Sequence, residues 1–355
     1  MKIENGCLTK VYNNEITDGK FIIPEGVTSI GNEVFYACSS LTSITIPNSV
    51  RSIGKYVFER CTELKSITIP NSVISIDNGA FYRCSGLTSI AIPDSVTSIG
   101  SFAFEDCCML TNVTIGNGVT FINDCTFYNC SKLAEVTIGN GVTSIGDKAF
   151  YNCHKLTSIT IPDSVTSIGN DAFSGCSGLT SISIPDSVKS IGSWAFYDCS
   201  ELMSVTIGNG VMSIGCGAFE DCSGLASVII PDSVTSIGAC AFACCTLTSK
   251  QANYKAFRII NEKFRCIRKT YSEGKRHYVR GALKMCENGI HYCTNLFEIF
   301  NYYSGVIDKD IAIYEIDVGD KVLTSDSSKC CTNSCVLKKR LYYDDIIKIL
   351  NGENT

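Results

Sequence analysis

The sequence predicts a solenoid of the α/β type, ten 23-residue coils with short parallel strands, followed by a small α+β domain. Three observations predict it. Ten cysteines, Cys38, Cys61, Cys84, Cys107, Cys130, Cys153, Cys176, Cys199, Cys222 and Cys245, stand 23 residues apart without an insertion. All seven prolines fall in one slot of that period, as Pro24, Pro47, Pro70, Pro93, Pro162, Pro185 and Pro231. Charge divides as well. Residues 250–355 hold 18 Lys/Arg and 13 Asp/Glu, a net +5, and the remainder holds 12 and 22, a net −10. Such asymmetry marks two units with different tasks.

The first element, residues 1–22, includes GCLTKVYNNEITDGKFI and reads as a polar hairpin covering the end of the stack, as solenoids require. Residues 23–249 form the stack. In "LTSITI" (41–46) apolar and polar residues alternate, with β-branched side chains, which predicts a short strand with one face inward. Pro24 and its equivalents, replaced by Gly116, Gly139 and Gly208, then turn the chain. "SVTSIG" predicts a second extended run, carrying Val27 to Val234 and Ile30 to Ile237 at one slot each. The segment ending in Ala-Phe-x-x-Cys predicts a turn of helix or 3₁₀ structure that brings Phe35 to Phe242 and the cysteines inward. One coil cannot bury its own apolar face, so the coils must stack. At ~4.8 Å per strand the stack is expected to be ~45–50 Å long. The register breaks where Leu247 follows Cys245 by two residues instead of three.

A position filled ten times by cysteine is a structural slot. Free cysteine serves there as a small buried hydrophobe, so the 22 cysteines do not imply a disulfide framework. Met1 to Gly6 contains no apolar run of the signal-peptide kind, and no stretch approaches ~18 uncharged apolar residues. The expectation is a soluble protein, cytoplasmic by default, with surface display or host-directed export left open.

The residues "LTSITIPxSVTSIGxxAFxxC" resemble the BspA-type leucine-rich repeat over about residues 23–249. The resemblance implies a solenoid binding surface in a family often associated with adhesion and host interaction. The asparagine ladder of other leucine-rich repeats is not expected. The strand's outward slots are rich in Thr and Ser, and they supply the candidate binding row. It runs through Thr88, Ser89, Thr111, Thr157, Thr160 and Thr180, and Ala134 stands in the same row. These positions point to a protein partner, with a glycan as the other option. His154 and Trp194 sit at variable slots and read as solvent-facing decoration. Flat threonine rows can also suggest ice binding, but the intervening positions vary too much. No carboxylate pair, histidine cluster or phosphate-binding glycine loop occurs in the repeats, so no cofactor and no catalytic residue is expected there.

Residues 250–355 predict strands at 254–260, 264–271, 288–293 and 311–318 and helices at 295–303 and 342–350. Cys286, Gly289, His291, Cys293, Phe297, Phe300 and Tyr302 resemble a domain of unknown function from phage and mobile-element proteins, a resemblance that brings no activity. Three chemistries compete with simple packing. Cys286, His291 and Cys293, with Cys330, Cys331 or Cys335, offer soft ligands for Zn²⁺, although the spacing is not a double CxxC. Lys250 to Lys284 contains 11 basic and two acidic residues, interleaved with aromatics that stack on nucleic-acid bases; Arg280 is among them. Finally, "GIHYCTNLFEIFNYY" followed by "IAIYEIDVGDKVL" resembles ADP-ribosyltransferases of the poly-ADP-ribose polymerase type. That resemblance implies stacking of nicotinamide on Tyr302 or Tyr303 and a ribose contact from His277. No glutamate stands convincingly in the catalytic place, and the segment is short for that fold. The main expectation is a non-enzymatic interaction scaffold; the rival is a C-terminal effector that the repeats target.

Overall fold

In the computed structural model the described residues are 1–226, 228–231, 233–238 and 240–245, together with the backbone of nine strands between 254 and 341. Residues 7–245 wind as a three-sided β-solenoid. One side is a continuous parallel sheet. Cys7–Lys10 pairs with Ser29–Ile30, and the two-residue Ser-Ile strands then follow one another, coil by coil, to Ser236–Ile237. Phe121–Ile122 is the one strand of this series that opens on a residue other than Ser. Strand Lys2–Glu4 adds antiparallel at the start, completing the N-terminal hairpin. Phe21 pairs with Ile44 at the full period of 23, whereas Leu8 pairs with Ile30 at 22, so the first 22 residues join the stack one residue short of the period at their first strand.

The "LTSITI" side is more broken. Parallel strands form at Lys20–Ile22 with Ser43–Thr45, through Ser89–Ile92, Asn112–Ile115 and Glu135–Thr137, and at Ser181–Ile184 with Ser204–Ile207. The shorter run thus makes the longer sheet. The cause is the turn that follows each run: Gly follows Ile in "SIG" in eight coils and lets neighbouring backbones approach closely. A Cβ on Gly192 would collide with the backbone of Gly169 one coil below.

The third side corrects the sequence reading. The segment before each cysteine is not a helical turn. Two of its residues, five and one before the cysteine, are left-handed: Glu33 and Ala37 at φ 58° and 55°, Cys125 and Asn129 at 55° and 56°. A left-handed residue in every fourth position cannot belong to a right-handed helix. The backbone donors instead form a ladder between coils. The N–H groups of Glu33, Phe35 and Ala37 donate to the carbonyls of Lys55, Val57 and Glu59 at 2.9, 2.9 and 2.8 Å, while those of Tyr36 and Cys38 bond back within the coil. Each non-glycine residue held left-handed costs roughly 1–2 kcal/mol; the inter-coil bonds on both sides of it offset that cost. The α/β label is corrected accordingly to a β-solenoid with turns on the third side.

Side-chain ladders also run between the coils, at slots of this repeat's own. The N–H groups of Asp147, Asn170 and Ser193 donate to Oδ1 of Asp124, Asp147 and Asn170 at 2.8, 2.7 and 2.9 Å. At another corner, Asn117 and Asn140 do the same to Asp94 and Asn117.

The core lies along the axis. Phe35 to Phe219 are fully buried, and successive rings from Phe35 to Phe242 stack at 5.0–5.4 Å with interplanar angles of 3–18°. That separation of near-parallel rings is an offset stack, the favoured geometry for aromatic quadrupoles. Cysteine beside it has a defined task. Each Sγ from Cys61 to Cys245 donates to the carbonyl of the Phe 26 residues earlier, as Cys84 does to Phe58 at 2.9 Å. The sixteen cysteines of residues 1–245 are all free thiols.

Beyond the array, antiparallel strands form one sheet in the order 277–278, 334–341, 311–318, 254–260, 290–293, 329–332, 322–324, with the hairpin 263–266/269–271 beside 254–260. The run expected as one strand over 264–271 is therefore two. The expected helices at 295–303 and 342–350 lie outside the described residues.

Candidate binding surfaces

The strand row was read from the sequence as a single hydroxyl-bearing face. Stacking divides it in two. Thr111 Oγ1 donates to the Thr88 carbonyl at 3.0 Å, Thr88 Oγ1 to Lys65 at 3.1 Å and Thr180 Oγ1 to Thr157 at 3.2 Å. These hydroxyls spend their proton on the coil below, so Thr88, Thr111 and Thr180 are primarily structural. Ala134 takes the same slot without a hydroxyl. Thr157 is exposed and lends its carbonyl to the ladder. Ser89, one residue after Thr88, and Thr160, three after Thr157, are exposed with no side-chain bond among the described residues. The face available to a partner is therefore the row of Thr114, Thr137 and Thr160, with Ser89 in the adjacent row beside Asn112, which the pattern alone did not separate from the bonded threonines.

A second surface is a run of shallow hollows beside the Ser-Ile sheet. Two open hollows, of about 430 and 450 Å³, follow the glycines Gly146, Gly169, Gly192 and Gly215, with Asp147 and Asn170 on the rim. Their floor exists because the close approach of successive coils forbids a side chain there.

The third surface was missed by sequence reasoning. On the turn side, slots two and five before the cysteine hold Tyr36, Tyr56, Tyr82, Phe102, Tyr128, Tyr151, Trp194 and Tyr197, set among Glu33, Glu59, Glu105, Asp171 and Glu220. Tyr128 and Tyr151 stack at 4.8 Å. Trp194 is more than decoration. It is 43 % exposed yet seated, because its ring lies across Gly217, where an added Cβ would stand 2.5 Å from Cδ1 and Nε1. Its indole N–H donates to Glu220, whose carboxyl burial and the neighbouring Asp221 together push upward. Tyr197 donates its hydroxyl to Asp221, and that bond raises the phenol's pKa. The signal was present in the sequence as an aromatic at one slot followed by Gly at the same slot one coil later. Tyr56 with Gly79 repeats it. His154 is exposed, and its Nδ1 lies 2.8 Å from the Gly175 carbonyl.

In the C-terminal sheet, strand register pairs His277 with Cys335, His291 with Cys331, Tyr292 with Cys330 and Cys293 with Lys329. Arg280, Cys286, Tyr302 and Tyr303 lie outside the described residues. Among the described residues, no three His, Cys, Asp or Glu side chains converge as a metal site, and no helix is long and apolar enough to cross a membrane.

A family model for the BspA type leucine rich repeat region, in six copies, matches residues 3–134 and 121–249. A model for a domain of unknown function, DUF7666, matches residues 254–349. Among solved structures, a leucine-rich repeat protein from Bacteroides ovatus is 30% identical over 68% of this chain and 75% of its own, with a TM-score of 0.45. A leucine rich cell surface protein from Faecalibacterium prausnitzii is 30% identical over 69% and 84%, at 0.42. The leucine rich repeat protein of T. pallidum is 27% identical over 58% and 77%, at 0.33. No curated protein matches the chain.

Proposed function

The chain belongs to the BspA-type leucine-rich repeat family, and on that premise we propose that it is a non-enzymatic interaction scaffold that binds a protein or glycan along its strand row. One observation carries this reading. Inward slots are nearly invariant from coil to coil, whereas the exposed row varies on a rigid ladder: Thr114, Thr137 and Thr160 present hydroxyls, and Ala91 and Ile229 take the same place in other coils. Such a surface preorganises contacts and reduces the ordering cost of binding. The buried thiols and bonded threonines serve the stack.

The test replaces Thr114, Thr137 and Thr160 together by Arg and presents the full chain and the variant to arrays of glycans and of proteins. Ligands retained by Lys148→Ala, on the turn side, and lost by the triple variant support the reading. Ligands held equally by all three proteins place recognition elsewhere and sink it.

A further inference from the structure

The turn side carries a built-in comparison. Between the third and fourth coils it holds its own cation: the Arg83 guanidinium lies 4.9 Å from the centre of the Tyr82 ring, and its Nε donates to Asp106 Oδ2 at 3.3 Å. Tyr82 and Arg83 stand two residues and one residue before the cysteine of their coil, and Asp106 stands one before the cysteine of the next. Between the eighth and ninth coils the same three slots read Tyr197, Asp198 and Asp221. The aromatic ring and the distal carboxylate are kept. The arginine between them has become a second carboxylate.

The surroundings match that exchange. Trp194 forms a second aromatic wall, fixed by Gly217 beneath it and by its bond to Glu220. Tyr197 is 36 % exposed and oriented by its bond to Asp221. The ion pairs among the described residues involve none of Asp198, Glu220 and Asp221. Two exposed rings and three carboxylates thus share one corner of an array whose net charge is −10 over residues 1–249, a field that draws cations. Tryptophan and tyrosine faces attract cations most strongly of the uncharged side chains. A guanidinium adds planar stacking and forked donors to carboxylates that an ammonium lacks.

We propose that the corner formed by Trp194, Tyr197, Asp198, Glu220 and Asp221 binds an arginine side chain from a basic segment of a partner protein. The guanidinium lies over the Tyr197 ring as Arg83 lies over Tyr82, and it donates to Asp198 and Asp221. The proposal rests on the reading of the array as an interaction scaffold and adds a second face with a stated partner chemistry.

The chain contains a single tryptophan, so its emission reports on this corner alone. The full-length protein is titrated with a capped Gly-Arg-Gly-Arg-Gly peptide, with the same peptide carrying neutral citrulline for arginine, and with maltohexaose. The expected result is a saturable emission change for the arginine peptide only, weakened at 0.5 M NaCl. Asp198→Arg supplies the cation from within and is expected to weaken the peptide at least about tenfold. Arg60 and Arg83 already occupy that slot at φ 60° and 59°, so the variant folds, and thermal melting checks that it has. Equal responses to arginine and citrulline, a response to maltohexaose alone, unchanged affinity in Asp198→Arg, or no saturable change each overturn the proposal. If the arginine peptide fails while array ligands still depend on Thr114, Thr137 and Thr160, the site falls and the scaffold reading stands.

Discussion

Replacing Phe127 by Ala removes one ring from the middle of the aromatic column. Phe127 is fully buried and lies 5.3 Å from both Phe104 and Phe150. Large-to-small truncation of a buried Phe costs about 3–5 kcal/mol in transfer and cavity terms. Loss of two stacked partners, at roughly 0.5–1.5 kcal/mol each, places this site at the upper end of that range. Phe21, with one edge-on partner at 5.2 Å and slight exposure, loses less, by about 1 kcal/mol. Coils interact with their nearest neighbours, so the damage is local. Hydrogen exchange followed by mass spectrometry is the suitable assay. The amides of Phe104 and Phe127 donate across coils to Thr126 and Ala149, and peptides covering them are expected to exchange about 1,000-fold faster in Phe127→Ala. An acceleration of less than about tenfold there, or one spread evenly over all coils, refutes the idea that the column carries the inter-coil stability.

Three further outcomes follow from the same geometry. Burial pushes the Cys61 thiol up to about 12 and those of Cys84 and Cys130 well above their usual value. The folded state therefore holds protons that the unfolded chain releases above about pH 9, so denaturation midpoints fall as pH rises from 9 toward 12; iodoacetamide labels exposed Cys108 long before the ladder thiols, and a flat alkaline profile contradicts this account. Gly192→Ala forces a methyl group into the backbone of Gly169, whereas Gly26→Ala meets no atom within 4 Å and only strains a φ of 87°. Denaturant melts are expected to show losses of roughly 1–3 kcal/mol at Gly192 and about 1 kcal/mol at Gly26. Thr111→Val discards a hydroxyl bonded at 3.0 Å and costs about 1 kcal/mol, while Thr160→Val changes stability by less than about 0.5 kcal/mol. Equal losses at the two threonines remove the distinction between bonded and available rows.

Much of the array was legible because its information is periodic. Phe81, Cys84, Leu87, Ile90, Ile92, Val96 and Ile99 are all buried, and each was assigned inward from spacing alone. The turn side was misread because Ala-Phe-x-x-Cys has helical spacing, and its left-handed residues, such as Glu33, Tyr56 and Lys148, are not glycines. The seat of Trp194 escaped notice because its determinant, Gly217, is 23 residues away. The C-terminal strand at 311–318 was found from alternation and that at 254–260 was also read as a strand, whereas Lys329–Thr332 and Ser334–Leu341 lack a clear apolar period and were not found.

By itself the sequence determined the period, the inward slots, the reduced cysteines and the division of charge, since burial follows from which apolar residues recur at a fixed interval. Tertiary structure decided the rest: the handedness of the turn side, the partition of threonines into bonded and free rows, and the meeting of Tyr197 with Asp221. Each of these depends on what a residue meets one coil away. A hydrogen bond or a stacked ring between coils has no local signature, because the same Thr or Tyr serves as ladder or as surface according to its neighbour in the stack.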